Sequence, residues 1–221
     1  MFKKPFTVSS KHKISGSDRK KLRRSLEKAF PQASPDELLA FLPSKDGDLE
    51  LAKVQSSRVQ IYTLDGEPIL VDKSGKGDFY PSVYALWKSP SLLPVVTVKH
   101  PDVTKFVVGG ADLMLPGVDL ESGVPELKKG DLCAIMCPGN PAPVAVGETA
   151  IASDDVFMAG GKGRLLYALH HYRDCLWGLP EKPSVPNEGF LEDAVAAIHS
   201  EPAEEAAQPP EGAAGEEAGG A

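Results

Sequence analysis

The stretch Val107–Val118 reads VVGGADLMLPGV and decides the fold of the second half of the chain. Two adjacent glycines interrupt an apolar run, a single acid follows at Asp112, and an apolar trio then runs into a Pro-Gly turn. Glycine is the usual residue where a helix ends or a chain turns sharply. The stretch therefore predicts the end of a helix, a glycine turn and the start of a new strand. It lacks the lysine spacing of a nucleotide phosphate loop.

The sequence around this stretch predicts a small β-barrel over residues 94–180. Short strand-like runs separated by turn signals are typical of a barrel or barrel-like sheet. The runs are PVVTVKH, DLMLP, GDLCAIM, PVAVGETA and RLLYALHHY. Two short helical runs, PDVTKFVV and SDDVFMAGG, are expected to cover the ends of the barrel.

Residues 1–93 predict an α+β unit. A helix over residues 17–30 has apolar residues at four-residue spacing on one face, so its Arg and Lys side chains are expected to project away from that face. A second helix begins at a capping box formed by Ser34 and Glu37. The remaining strands and a last helix are expected at Leu49–Val54, Val59–Thr63, Ile69–Val71 and Ser82–Lys88.

The net charge of -7 hides a strong asymmetry along the 221 residues. Residues 1–30 contain ten Lys or Arg against two acids, whereas residues 181–221 contain ten acids against one lysine. The basic head indicates either a polyanionic partner or an ordinary solvated helix face. Residues 181–221 are rich in Pro, Gly, Ala and Glu, which predicts a disordered acidic tail.

Composition and motifs argue against several classes of protein. Three cysteines, an odd number, do not suggest a disulfide framework, and no apolar run spans a bilayer, so a soluble cytoplasmic protein without a membrane partner is expected. Cys133 and Cys137 would lie about 13 Å apart in a strand, too far for one metal ion. The stretches KSGKGD and GGKGR lack phosphate-loop spacing. We expect no metal, no cofactor and no enzymatic activity.

Residues 94–178 resemble a PUA domain, an RNA-binding module of RNA-modifying enzymes and translation factors. The segments that carry this resemblance are GGADLMLPGV, KKGDLCAI, APVAVG and GGKGR. Further segments, SGSDRKKLRRSLEKAFP, YPSVYALWKSPSLLP and HHYRDCLW, resemble the N-terminal half of the ligatin (eukaryotic translation initiation factor 2D) family. The chain is more distantly similar to malignant T-cell-amplified protein.

The resemblance implies an α+β domain at 1–93, a PUA domain at 94–180 and a disordered acidic tail at 181–221. The PUA domain is expected to be a mixed pseudobarrel with two short helices. It also implies binding to rRNA of the small (40S) ribosomal subunit and to tRNA. The implied role is GTP-independent placement of tRNA at the P site and post-termination recycling. Ligatin continues into winged-helix and SUI1 domains, so these domains or a SUI1-domain partner protein would complete that activity. The alternatives are an accessory protein for RNA modification and a protein adaptor for a SUI1-domain partner.

Two sets of residues are candidates for RNA contact. Long cationic side chains of the N-terminal unit suit phosphate oxygens; they are Lys11, Lys13, Arg19, Lys20, Arg23 and Arg24. On the PUA domain, glycines would let an RNA backbone approach closely. Mapping the family's groove gives Lys105, Gly109, Gly110, Ala111, Met114, Leu115, Pro116, Gly117, Gly161, Lys162, Gly163 and Arg164.

Several of these residues also have a purely structural interpretation. Gly109 could simply cap a helix and Gly117 make a turn, whereas Met114 and Leu115 are expected first of all to be core residues. Aromatic residues are expected to pack rather than to stack on bases. Tyr80, Tyr84 and Trp87 would lie between the two units, and Trp177 would seal the barrel.

Overall fold

A computed structural model describes residues 2–191 and 195–196, which form an N-terminal α+β unit followed by a barrel. The N-terminal unit has one antiparallel sheet with the strands in sequential order. Its strands are β1 (Val8–Lys13), β2 (Leu49–Val54), β3 (Gln60–Leu64), β4 (Glu67–Asp72) and β5 (Phe79–Pro81). Its helices are α1 (Gly16–Ala29), α2 (Pro35–Phe41) and α3 (Val83–Lys88).

The two helices predicted near the N-terminus form for the expected local reasons. Ser15 caps α1 by accepting from the amide of Asp18, and the apolar stripe Leu22, Leu26 and Phe30 is buried. In α2 the capping box is complete, since Ser34 accepts from the Glu37 amide and the Glu37 carboxylate accepts from the Ser34 amide. These reciprocal bonds satisfy two donors that a helix start otherwise leaves unpaired.

Two strands, β1 and β5, were not expected from the sequence. Strand β1 is an edge strand whose residues after Val8 are all exposed, so it carries no apolar alternation. Only its pairing with β2 defines it, over the register Val8↔Val54 to Lys13↔Glu50. Strand β5 has only three residues, fewer than a periodicity argument needs.

The second unit is a barrel of mixed topology, as predicted. Its sheet order is β6-β8-β9-β10-β7, and the β6–β8 pair is parallel. The strands are β6 (Val95–Thr97), β7 (Leu113–Met114), β8 (Leu132–Met136), β9 (Ala145–Thr149) and β10 (Arg164–His171). An isolated antiparallel bridge between Val98 and Val118 links the segments that follow β6 and β7, the two edge strands of this sheet. Helices α4 (Pro101–Val108) and α5 (Ser153–Met158) are the two predicted short helices.

The two units share a packed and hydrogen-bonded interface. Tyr84 Oη donates to the carbonyl of Trp177 at 2.8 Å, and Trp87 Nε1 donates to the carbonyl of Pro143 at 2.9 Å. Lys73 forms an ion pair across the interface with Glu148 at 2.8 Å. The prediction that Tyr84 and Trp87 pack between the units is therefore confirmed.

The polypeptide remains packed beyond residue 180, where the disordered tail was predicted to begin. Phe190 is fully buried, and its carbonyl accepts from Tyr172 Oη at 2.6 Å. Val195 is also buried, and its carbonyl accepts from Cys137 Sγ at 2.9 Å. The prediction of disorder is therefore wrong for residues 181–191 and for 195–196, because Phe190 and Val195 complete the barrel core. The remainder of the predicted tail lies outside the described residues. Within the described part of the chain, no helix has the length and apolar character to cross a membrane.

Candidate nucleic-acid interface

Arg19, predicted to be an exposed phosphate ligand, is instead buried, with 6% of its surface exposed. Its guanidinium donates to three backbone carbonyls, those of Pro43, Asp46 and Gly47, at 3.3, 2.7 and 2.6 Å. Arg19 therefore holds the α2–β2 loop against α1 and is not available to RNA. The apolar spacing along α1 gave no sign of this, since the three carbonyls lie more than 20 residues away in sequence.

Arg23 is also largely occupied within the protein. It donates to the carbonyl of Leu42, the C-cap of α2, at 3.0 Å and to Ser44 Oγ at 2.8 Å. A cation at a helix C-terminus also interacts favourably with the helix dipole. The prediction that Arg23 projects into solvent is therefore wrong, because both of its Nη atoms are engaged within the protein.

The remaining cations of the N-terminal unit fall into two groups. Lys11 and Lys13 lie on β1, not on the helix, and they form ion pairs with Glu50 and Asp48 of the adjacent β2 strand and the turn before it. Lys20, Arg24 and Lys28 lie at four-residue spacing on the exposed side of α1. None of these three side chains has an ion-pair or hydrogen-bond partner among residues 2–191. We call these three residues the α1 cation stripe; Lys28 was not among the predicted site residues.

On the barrel, the glycine pair ends α4 in a Schellman motif. Gly109 is the C-cap, and Gly110 follows in the left-handed region with φ +86°. The Gly110 amide donates to the Val107 carbonyl and the Ala111 amide to the Phe106 carbonyl, at 2.9 and 2.8 Å. These are the two bonds that define the motif. The helix end and turn predicted from the sequence are therefore confirmed, and Gly110 is the residue that needs glycine.

Gly110 does not leave bare backbone for RNA, as the sequence suggested. It is buried, and a Cβ placed on it would lie 3.2 Å from Lys3 Cε and 3.3 Å from His171 Nε2. The space above this glycine is thus filled by the protein itself. Gly109 and Ala111, by contrast, are exposed.

The next exposed group along this surface is Arg164, at the start of β10. Asp112 orients it: one carboxylate oxygen accepts from the Ala168 amide at 3.0 Å, and the other is 3.1 Å from Arg164 Nε. The guanidinium carbon lies 4.8 Å from the centroid of the Tyr167 ring. Asp112 takes Nε, and the two Nη atoms have no partner among the described residues. The fork is held in place and faces solvent.

Exposed apolar side chains surround this arginine. Met114 pairs directly with Arg164 between β7 and β10 and is 45% exposed, so the expectation that Met114 belongs to the core is wrong. Leu115 is buried as expected, so it cannot contact RNA through its side chain. Tyr167 is 42% exposed. Large exposed apolar groups beside cations are typical of recognition surfaces.

The GGKGR loop lies next to this surface. Gly161 and Gly163 have positive φ angles of 70° and 106°, and a Cβ on either would meet no atom within 4 Å. The Gly163 carbonyl accepts from the Leu115 amide at 2.9 Å, which joins the loop to the stretch after β7. Lys162 is exposed and has no partner among the described residues.

The other predicted groove residues have mainly structural contacts. Gly117 ends a short 3-10 turn, Leu115–Gly117, in which Pro116 is exposed; the turn predicted there is confirmed. Lys105 forms an ion pair with Asp102 on its own helix at 3.0 Å. Lys105 can still exchange this exposed partner for a phosphate, because such pairs are weak.

Buried titratable groups organise the turn after β10. Asp174 is 2.7 Å from His170 Nδ1 and accepts from three backbone amides, those of His171, Leu176 and Trp177. Burial alone would raise the pKa of Asp174, but His170 and the hydrogen bond from the Trp177 amide lower it overall. This cluster is structural, and His170 takes part in it as a buried, hydrogen-bonded ring.

Cys133 and Cys137 are small buried residues with free thiols, whereas Cys175 is partly exposed. Burial raises the pKa of the Cys133 thiol to about 12 and that of Cys137 to about 11. Within the described ranges, no group of three or more His, Cys, Asp or Glu side chains could hold a metal ion.

Sequence reasoning missed four candidate residues, namely Lys28 on α1 and Lys3, Asp112 and Tyr167 at the barrel surface. Asp112 had a signal, since it was the single acid within the apolar stretch Val107–Val118. Lys28 also had one, because it continues the four-residue spacing of Lys20 and Arg24. No sequence signal marked Lys3 or Tyr167, because their positions depend on contacts between segments that are distant in sequence.

Comparison with protein families assigns both units. Residues 2–90 match the model of the Pre-PUA-like domain, and residues 93–175 match the model described as eIF2D, PUA domain. The chain thus belongs to the proteins that join a Pre-PUA domain to a PUA domain of the eIF2D type. It is a translation-related, RNA-binding PUA protein.

Individual relatives agree with this assignment. The chain is 43% identical over 191 residues to eukaryotic translation initiation factor 2D of Oryctolagus cuniculus, an alignment that covers 85% of the chain and 33% of the relative. The chain therefore spans about a third of the length of that protein. Translation machinery-associated protein 20 of Saccharomyces cerevisiae is 29% identical over 184 residues, covering 80% of the chain and 97% of the relative.

Solved structures support the fold. A conserved PUA domain protein from Thermoplasma acidophilum superimposes with a TM-score of 0.58 at 24% identity, covering 77% of this chain and all of that chain. At this identity the likeness concerns the fold alone.

Proposed function

We propose that this chain is the part of a cytoplasmic translation initiation factor that binds the small (40S) ribosomal subunit and tRNA. It aids GTP-independent placement of tRNA at the P site and post-termination recycling. Winged-helix and SUI1 domains of a longer chain, or a SUI1-domain partner protein, complete the activity. The similarity to proteins named eukaryotic translation initiation factor 2D supports this role.

The observation that carries the proposal is the preorganised fork of Arg164. Arginine presents parallel N–H donors that match phosphate oxygens, and Asp112 and Tyr167 hold the fork before any ligand arrives. Lys162 adds a second cation on the adjacent glycine loop. RNA recognition at this face rests on backbone contacts and on the shape of the barrel, with no bond made or broken.

The α1 cation stripe supports docking on rRNA by the other unit. Lys20, Arg24 and Lys28 are spread over about 12 Å of helix, given a rise of about 1.5 Å per residue. Mobile cations without internal partners bind phosphates at little cost, since no ion pair has to be broken first. We assign initial electrostatic docking to this stripe.

Sedimentation of the 221-residue chain with purified 40S subunits tests the proposal. The variant Lys20→Glu/Arg24→Glu/Lys28→Glu should bind at least about tenfold more weakly, and its affinity should depend less steeply on salt than that of the unmodified chain. The matched control, Lys45→Glu/Lys53→Glu/Lys182→Glu, has the same change in charge at other exposed lysines.

Binding of tRNA is measured in parallel with Arg164→Ala, which should reduce affinity several-fold while the melting temperature stays the same. Equal binding of both triple variants to 40S subunits would refute the docking role of the α1 stripe. Absence of the unmodified chain from the 40S peak at both low and moderate salt would refute the proposed function as a whole.

A further inference from the structure

The first residues of the chain cross from the N-terminal unit to the barrel. Phe2 is 4% exposed, and its carbonyl accepts from the Cys175 amide, after β10, at 3.0 Å. Its ring also packs against Phe6, with the centroids 5.1 Å apart. These contacts fix the chain terminus beside the barrel and leave little freedom for the backbone of the next residue, Lys3.

The stem of Lys3 lies over the left-handed glycine at the end of α4. A Cβ on Gly110 would be 3.2 Å from Lys3 Cε and 3.3 Å from Lys3 Cδ, so the missing side chain of Gly110 makes room for this stem. Lys3 is exposed and has no charged partner among the described residues. The end of its stem therefore lies at Gly110, whose two neighbours in the chain, Gly109 and Ala111, are exposed.

This part of the barrel needs a cation if it is to receive RNA. The C-terminal end of α4 carries partial negative charge, and the Asp112 carboxylate follows two residues after Gly110. A phosphate approaching Ala111 would be repelled by both. Lys3 on one side and Arg164 on the other supply the compensating charge. Gly110 and Asp112 are at most about 7 Å apart along the chain, so the residues that Lys3 and Arg164 contact lie on either side of the exposed Ala111.

We propose that Lys3 is an RNA-backbone ligand of the barrel surface, supplied by the N-terminal unit. The site is thus a composite one: an RNA phosphate chain crossing Ala111 is held between Lys3 and Arg164. This inference rests on the proposed RNA-binding function and adds a residue outside the PUA domain to its site. It also gives Gly110 a role, since a Cβ there would crowd the lysine stem at 3.2 Å from Cε.

Binding of fluorescein-labelled bulk tRNA to the 221-residue chain tests this proposal. Lys3→Met keeps an apolar stem over Gly110 and removes only the charge. It should weaken binding about three- to tenfold and reduce the slope of log affinity against log salt by about 0.7–1. Lys3→Arg should restore affinity to within about twofold. Lys4→Ala, with the same change in charge at the neighbouring exposed position, is the matched control and should change affinity by less than twofold.

Two further results separate this inference from the proposed function. If Lys3→Met binds within twofold of the unmodified chain while Arg164→Ala binds weakly, the role of Lys3 is refuted and the barrel surface stands. If the unmodified chain does not bind tRNA, or if Arg164→Ala binds as well as the unmodified chain does, the proposed function of this face fails as well. Thermal unfolding of each variant verifies that affinity is compared between folded proteins.

Discussion

Replacement of Arg19 by alanine should destabilise the protein strongly without weakening the binding of the folded protein to RNA. The guanidinium is buried and donates to the carbonyls of Pro43, Asp46 and Gly47. A hydrogen bond to a charged group contributes about 1.5–3 kcal/mol, and water can replace part of what is lost at a loop. We therefore expect the free energy of unfolding to fall by about 2–4 kcal/mol. For a domain of this size that corresponds to a melting temperature lower by roughly 4–16 °C.

Urea unfolding followed by tryptophan fluorescence measures this change, with Arg24→Ala as the control on the same helix. Arg24 is exposed, so its replacement should change stability by no more than about 0.5 kcal/mol. Arg19→Lys should be intermediate, because one ammonium cannot reproduce the planar fork that reaches three carbonyls. Binding to 40S subunits should follow the opposite order, with Arg24→Ala impaired and folded Arg19→Ala unchanged. A stability loss below 0.5 kcal/mol for Arg19→Ala would refute the structural role assigned to this arginine.

Three further outcomes follow from the glycine, the cysteines and the buried histidine. Gly110→Ala should lower the free energy of unfolding by about 1–2 kcal/mol in urea, and by more than Gly161→Ala, since both residues have positive φ but only Gly110 is closely surrounded. A thiol reagent at pH 8 should leave Cys133 and Cys137 unlabelled in the native chain and label both in urea, as read by mass spectrometry, because burial raises the pKa of each thiol. Burial lowers the pKa of His171 in the folded protein, so as the pH falls below about 6.5 the unfolded chain binds a proton at this histidine before the folded one does, and the free energy of unfolding should decrease. The decrease between pH 7.5 and 5.5 should be smaller in His171→Gln. An equal decrease in this variant would contradict the lowered pKa of His171.

The sequence predicted those elements whose signals are local. The capping box of Ser34 and Glu37 is complete within four residues, and the stripe of Leu22 and Leu26 requires only helical spacing. The five barrel strands followed from short apolar runs between turn residues. Strand β1 could not be predicted in this way, because its residues after Val8 are all exposed and show no alternation of apolar and polar side chains. Only its pairing with β2 defines it.

The candidate site was predicted less well than the fold. The sequence does not distinguish an arginine that binds phosphate, as proposed for Arg24, from one that binds backbone carbonyls, as Arg19 does. Met114 and Leu115 are adjacent and both apolar, yet one faces solvent and the other the core. Which of them is exposed depends on how β7 pairs with β10, a contact between segments about fifty residues apart.

The sequence alone determined that VVGGADLMLPGV ends a helix and starts a strand, because glycine at a helix end reflects backbone conformation, which is a local property. It also determined the five strand-forming runs of the barrel and the excess of cations near the N-terminus. Only the tertiary structure decided what covers Gly110, which of the described cations lack a partner and that packing continues beyond residue 180. Those properties depend on groups distant in sequence that meet only on folding: the Lys3 stem over Gly110, three loop carbonyls around Arg19, and Phe190 in the barrel core.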